Sequence, residues 1–345
     1  MADDRPQLAA VGDTSAAAGP FYARAGASYQ SMDLPSVDLG QKRLGFAVVG
    51  GLAVNSNGGP IATFNPVASG YGVDGAFGYF LPPGVVSPTF GARPRVEFYA
   101  SYIRATDNQS SATTLLPGTS SFQHVNGVLS FFLICGADPC PTTSSLQSKY
   151  EAWHVGTKAS SDFAMGPLTL TPSLAIFGGE ARNQQQLFQS TSFVTVVANP
   201  VTLFETASET ATDRFGSRIG LNGKYDVMSW LALGLGGNLG LAARNIRLHA
   251  YDNSSSAGGK DTFTAGKNVA DFTAGAEASV IARAGANISF KLFGGFTYDN
   301  NVPGITAQNY TGVLFNNNPV TPVGIKTEGE IGYYAGLAMT IKFGQ

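Results

Sequence analysis

The stretch Lys326–Phe343, at the C-terminal end of the chain, alternates for almost its whole length. Ile331, Tyr333, Ala335, Leu337, Met339, Ile341 and Phe343 fall on one face, and Lys326, Glu328, Glu330, Tyr334, Thr340 and Lys342 on the other. A period of two sends successive side chains to opposite faces of a strand. A strand apolar on one side and wet on the other, at this length, can cross a bilayer at a tilt.

The same period recurs upstream. Leu231, Leu233, Leu235, Leu239 and Leu241 take odd positions while Ala232, Gly234, Gly236, Asn238, Gly240 and Arg244 take even ones, a spacing that a helix would scatter around its circumference. Phe215, Ile219, Leu221 and Tyr225 alternate with Arg214, Arg218, Asn222 and Lys224. Clean alternation covers 20–32, 43–55, 70–81, 93–104, 149–160, 167–181, 213–225, 229–247, 267–281, 286–298 and 326–343. Short connections at 161–166, 226–229 and 282–286 alternate with long segments at 105–148, 182–212, 248–266 and 299–325.

Charged residues make up 13% of the 345, against 43 Gly, 23 Phe and 13 Tyr; this is about half the usual charged share. The composition favours a membrane barrel over a soluble β-sandwich, which seldom repeats so many long strands. No apolar run is long enough for a transmembrane helix, so strands must do the crossing. The expected fold is all-β: a transmembrane antiparallel up-and-down barrel with short periplasmic turns and long extracellular loops, integral to a bacterial outer membrane. Eleven alternating segments break the even count that returns both termini to the periplasm. Either a strand is hidden in 60–66 or 122–134, giving twelve, or 20–32 lies outside the barrel, giving ten; twelve is preferred. Residues 1–19 read as a periplasmic tail and 20–345 as the barrel. The start, Met1-Ala-Asp-Asp-Arg-Pro, has neither a basic region nor an apolar core, so the sequence reads as the mature form of an exported protein.

Two cysteines, Cys135 and Cys140, bracket Gly-Ala-Asp-Pro. An oxidising compartment favours a local disulfide closing this small loop; two free thiols or half of a metal site are the alternatives. In 193–204, Ala-Asn-Pro suits the turn of a hairpin rising above the membrane, with an irregular loop as the alternative.

This strand-turn-strand pattern, with its aromatic C-terminal strand, resembles Gram-negative outer-membrane β-barrels of the porin-like kind over about residues 20 to 345. The phrase Arg214-Phe-Gly-Ser-Arg-Ile-Gly-Leu221 also resembles one found in Legionella-type pore-forming outer-membrane proteins. The resemblance implies contact with outer-membrane lipid and lipopolysaccharide, and insertion by the barrel-assembly machinery through the final strand. Here Phe343 is followed by Gly344 and Gln345, a departure from the usual terminal aromatic.

Inner-face positions carry Arg93, Arg95, Arg214, Arg218, Lys224, Arg244 and Lys291, with Arg24, Arg43, Lys267, Lys326 and Lys342. Facing them are Glu97, Asp271, Glu277, Glu328, Glu330 and Asp74. An open lumen with this basic excess would prefer anions; the alternative is cross-strand pairing. Glycines such as Gly234, Gly236 and Gly240 leave room for water, or for Tyr334, Phe293, Phe80 and Tyr99 from other strands.

No spacing among His124, His154 and His249 announces a catalytic set, although His249 near Asp252 has the look of a protease rim. A surface histidine is the simpler reading, and no enzyme activity is expected. Nucleotide and nucleic-acid binding are disfavoured, and neither cofactor nor metal is expected. The function expected is a passive pore for small hydrophilic solutes, with 105–148 as its constriction. A non-conducting barrel serving as surface anchor, adhesin or structural partner is the alternative, and a cell-surface enzyme comes third.

Overall fold

In the computed structural model, strands account for nearly all described residues: 20–39, 41–49, 52–57, 61–82, 93–115, 120–123, 131–134, 139–192, 201–254, 260–306 and 324–343. In chain order they are β1 (Phe21–Asp33), β2 (Val37–Leu39), β3 (Gln41–Val49), β4 (Leu52–Asn57), β5 (Ala62–Phe64), β6 (Val67–Phe80), β7 (Arg93–Leu115) and β8 (Ser120–Gln123). There follow β9 (Phe131–Ile134), β10 (Cys140–Met165), β11 (Leu168–Ser192), β12 (Val201–Met228), β13 (Leu231–Ser254), β14 (Lys260–Arg283), β15 (Ile288–Ile305) and β16 (Ile325–Phe343).

Ten strands close the ring, in the order β1-β16-β15-β14-β13-β12-β11-β10-β7-β6. Every neighbouring pair is antiparallel, and the first and last strands join from Phe21 opposite Phe343 to Met32 opposite Gly332. Of the two counts the sequence allows, ten is therefore the one realised, although by a different route. The segment 20–32 is a barrel strand, whereas 43–55 is not. Its residues fall in β3 and β4, which form a separate sheet with β8 and β9, and β5 pairs with β2. The period-two signal there is real, but it does not say which sheet a strand joins. Arg43 consequently lies outside the ring.

Pairing also sets the stagger. From Arg104 the partners run through Glu151, Arg182, Ala211 and Arg247 to Gly266 on β14. In the other direction they run through Tyr71, Tyr29, Ala335 and Gly294 to Ala278 on the same strand. The two ends differ by twelve residues (278 minus 266), which over ten strands corresponds to a tilt of about 40°.

The outer face carries a belt of exposed apolar side chains. On β13 it runs from Leu233 through Leu235 and Leu239 to Leu241, and on β16 from Phe343 to Ile331. Along β13 the belt then gives way to Asn245, Arg247 and His249. About a dozen residues at that tilt span roughly the 25 Å expected of a lipid-facing band. Short turns lie at one end: Met165 pairs with Leu168 around Gly166, whose φ of 62° is left-handed, as a two-residue primed turn requires. Closed ring, apolar belt, even strand number and short turns beside the terminal strands together make this an integral outer-membrane barrel. At the periplasmic end, Arg283 donates to Asp226 at 2.5 Å and to the Ser229 carbonyl at 2.9 Å, tying two turns together.

Several strands continue well past the belt. Most of 105–148 is therefore strand, β7 reaching Leu115 and β10 starting at Cys140, and 182–212 is mostly strand as well. Ser192 pairs with Val201, which carries the ladder of β11 and β12 out to those residues; of the hairpin expected over 193–204, residues 193–200 lie outside the described residues. So do residues 1–19, Cys135 and His124.

Gly78 illustrates how the inner face is filled. A Cβ there would meet the Tyr22 ring at 2.1 Å, because that ring lies flat across β6. Its hydroxyl donates to Glu97 on β7 at 2.9 Å. Gly78→Ala is expected to dislodge Tyr22 at a cost of about 1–3 kcal/mol, read as a lowered thermal midpoint and earlier loss of heat-modifiable gel mobility. Gly75→Ala, whose new Cβ would have the Arg24 carbonyl at 3.8 Å as its nearest neighbour, should leave both unchanged.

Candidate functional site

The lumen is the natural place to look for a pathway, and at belt level it is occupied by ion pairs. On the β1, β6, β7 and β10 side, Glu97 is fully buried and bonded by Lys158 at 2.5 Å, with Arg24 at 3.9 Å. Arg24 also lies 3.5 Å from Asp74. Arg95 donates to Asp162 at 2.7 Å, and Asp162 accepts from Thr171 at 2.7 Å. Across the barrel Lys291 pairs with Glu277 at 2.6 Å, and Tyr334 donates to the same carboxylate at 3.2 Å.

A second cluster lies nearer the outer end. Arg214 and Arg244 both bind Asp271, the latter at 2.8 Å, and Arg244 also binds Asp299. These four residues sit on β12, β13, β14 and β15, consecutive strands of the ring. Their position coincides with a parting of the wall, because β14 and β15 pair only as far as Thr273 opposite Asp299. Beyond it, Asn300 accepts from the Phe272 amide at 2.8 Å and Asn301 donates to the Ala270 carbonyl at 2.7 Å. Side-chain amides thus satisfy backbone groups where the ladder stops.

Above the ionic layers an apolar plug fills the mouth. Met32, Leu34, Ala68, Ile103, Tyr150 and Val302 converge from several strands. Over them Ile61 and Phe64 pack on Leu115, Cys140, Leu146 and Leu187. A cavity beside the plug, lined by Tyr150, His154, Arg214 and Arg244 among others, measures about 10 Å³, room for one water.

The residues expected to line the lumen divide accordingly. Arg95, Glu97, Arg214, Arg244, Asp271, Glu277 and Lys291 do face inward, and all are held in pairs. Arg218 stacks over Phe177 at 5.0 Å from the ring centre, with Arg214 over the same ring at 5.4 Å. Arg93 and Lys224 lie toward the periplasmic end, Lys224 being 3.5 Å from Asp226. Glu328 and Glu330 stand beyond the belt on β16, Glu328 bonded to Lys326 at 2.8 Å. Lys267 is exposed above the parting of β14 and β15.

Sequence reasoning missed Lys158, Asp162 and Asp299. Lys158 has the inward parity of its alternating strand, and Asp299 stands one residue beyond the assigned end of another, so parity alone could have found both. His154 is buried in the wall against Phe177, while His249 points outward opposite Glu209. Among the described residues no cysteine is free and no metal-binding cluster occurs; the expected Cys135–Cys140 pairing reaches outside them.

Glu330 lies just beyond Ile331, the outermost exposed large apolar side chain of its strand. Burial, with the carboxylates of Asp33 and Glu328 nearby, pushes its carboxyl up to about 7. A raised carboxyl stabilises the fold while protonated and loses that contribution as pH rises through 7. Glu330→Gln should therefore raise the thermal midpoint at pH 8 and leave it unchanged at pH 4. Lys158→Met tests the inner ion pairs: it leaves buried Glu97 with only the Tyr22 hydroxyl and Arg24 at 3.9 Å, with an expected loss of about 3–5 kcal/mol read in the same melting assay.

No known family's sequence profile matches the chain, and no curated protein does. Among solved structures, the outer membrane protease OmpT from Escherichia coli is similar at 13% identity, over 96% of this chain and 99% of its own, with a TM-score of 0.49. Neisserial surface protein A aligns at 10% identity over 94% of this chain and 97% of its own, with a TM-score of 0.25. A Pseudomonas aeruginosa FadL homologue aligns at 8% identity, over 94% and 91%, with a TM-score of 0.21.

Proposed function

We propose that the protein is a non-conducting outer-membrane barrel, serving at the cell surface as an anchor or structural platform. Of the readings the sequence leaves open, the interior favours this one over a passive pore. The observation that carries it is the pairing of buried charges across the lumen, at belt level and toward its outer end. An aqueous channel needs wet walls, yet Glu97, Arg95, Asp271 and Asp299 are each at most 2% exposed. Anion preference presumes an open basic lumen, and here the bases already have carboxylate or aromatic partners.

The porin-like likeness would regain weight if the plug could be displaced. The phrase Arg214–Leu221 lies on β12, where its two arginines cover Phe177. The reading assigns no catalysis: His154 is enclosed and His249 is on the outer wall.

Reconstituted in planar bilayers, the folded protein should give no steady conductance steps in either salt gradient. Stable steps with a defined reversal potential would overturn the proposal in favour of a pore.

A further inference from the structure

Well above the belt, the outside of the extended strands holds an open cleft of about 560 Å³. Two rows of side chains cross it in direct register on β11, β12 and β13. Gln184, Glu209 and His249 form one row, and Gln186, Ala207 and Tyr251 the next. Ala207 is the small member of its row, and it leaves the floor low between Gln186 and the half-buried Tyr251.

The hydrogen bonds along this floor all end on two carboxylates. Gln184 donates to Oε2 of Glu209 at 2.9 Å, while Gln186, at 2.7 Å, and Tyr251, at 3.0 Å, both donate to Oε1 of Glu205. Amides and a phenol hold these groups in place without neutralising them. Oε2 of Glu205 and Oε1 of Glu209 take none of the three bonds, and neither carboxylate forms an ion pair among the described residues. The neighbouring bases are engaged nearer the belt: Lys149 and Arg104 face Glu151 at 2.9 and 3.8 Å, and Arg182 bonds Glu180 at 2.7 Å. Three bases (Arg104, Lys149, Arg182) against four carboxylates (Glu151, Glu180, Glu205, Glu209) leave one net negative charge, and it falls on the cleft.

Such a cleft refuses anions and takes cationic donors, whose N–H groups bond the spare carboxylate oxygens. The ring of Tyr251 offers a wall for the same cation. Glu205 and Glu209 stand on one face of β12 with Ala207 midway, so their Cα atoms are about 13 Å apart in an extended strand. In an extended peptide, side chains four residues apart point the same way and have that same separation. We propose that the cleft on β11, β12 and β13 docks an extended segment of a partner polypeptide through two basic side chains four residues apart, one on Glu205 and one on Glu209. Their apolar stems would lie along the floor at Ala207. This rests on the reading of the barrel as an anchor or platform and deepens it, by fixing where the partner is held and what it presents.

The test measures fluorescence anisotropy of a labelled peptide, Lys-Ser-Ala-Ser-Lys with both ends blocked, against the folded full chain in uncharged detergent. The comparison is the same peptide with both side-chain ammonium groups acetylated. The cationic peptide should bind about tenfold more tightly, as two partly exposed ion pairs allow, and added salt should erase the difference. E205Q with E209Q should remove the preference. D213N should keep it, because Asp213 lies nearer the belt on β12 and pairs with Arg247 at 3.0 Å. Melting curves confirm that each variant is folded. Equal binding of the two peptides, an unchanged preference in the double variant, or equal loss in D213N would each overturn the site. Conductance steps would remove the anchor reading and leave this result standing, so the two failures are distinguishable.

Discussion

Closure of the ring by β1 on β16 is the constraint from which the rest follows. In lipid every backbone amide and carbonyl must be bonded within the protein, and a sheet meets that demand by having no edge. Ten strands with a stagger of twelve fix a wall of about 10 Å radius, too narrow to leave a wide channel once side chains point inward. The inner face cannot be purely apolar, because each strand was selected with alternating parity, nor can it carry unpaired charge. Pairing across strands satisfies both conditions. Tyr22 over Gly78 and Tyr334 over Gly295 show how: a glycine on one strand gives way so that a ring from its neighbour can reach a carboxylate one strand further.

The parting of β14 from β15 obeys the same accounting of polar groups. Once the ladder ends at Thr273 and Asp299, the freed backbone groups need partners, and Asn300 and Asn301 supply them. The quartet of Arg214, Arg244, Asp271 and Asp299 sits at this point and ties the four strands on either side of it. Freed from β14, the end of β15 turns inward, and Val302, Pro303 and Gly304 are buried there. Val302 enters the plug and Gly304 lies against Pro35, where a Cβ would meet its ring at 2.6 Å. The local break in the wall is thus what brings an apolar stopper into the mouth.

The belt was legible because lipid demands an unbroken period of two, and ten of the eleven alternating segments became barrel strands. Their outer halves were not, since both faces of β10 or β11 carry polar residues once the outside is water and the pattern fades. Gln184 and Gln186 on one face and Gln185 and Gln189 on the other look like loop in the sequence and are strand in the fold. The filled lumen was legible only as one of two readings, paired charges and rings such as Tyr334 over glycines, and which residues would meet was not. Tyr22 and Glu97 are 75 residues apart, and only the register brings Gly78 between them. The same limit placed 43–55 in the wrong sheet, because alternation states that a strand has two faces and is silent about its neighbours.

A sealed interior shifts the chemistry this protein can offer to its outer surface. Strands extended past the belt cost conformational entropy and expose two polar faces to water, and a barrel built only to close a hole in the membrane has no use for them. Here the inner face of the extension holds the plug, and so the extension has a structural role on that side. The outer face has none. Yet on β7, β10 and β11 it carries arginines positioned by carboxylates and amides positioned across strands, at a spacing that begins where the lipid belt stops. Side chains fixed by one another on an exposed wall lose rotamer freedom without burying area.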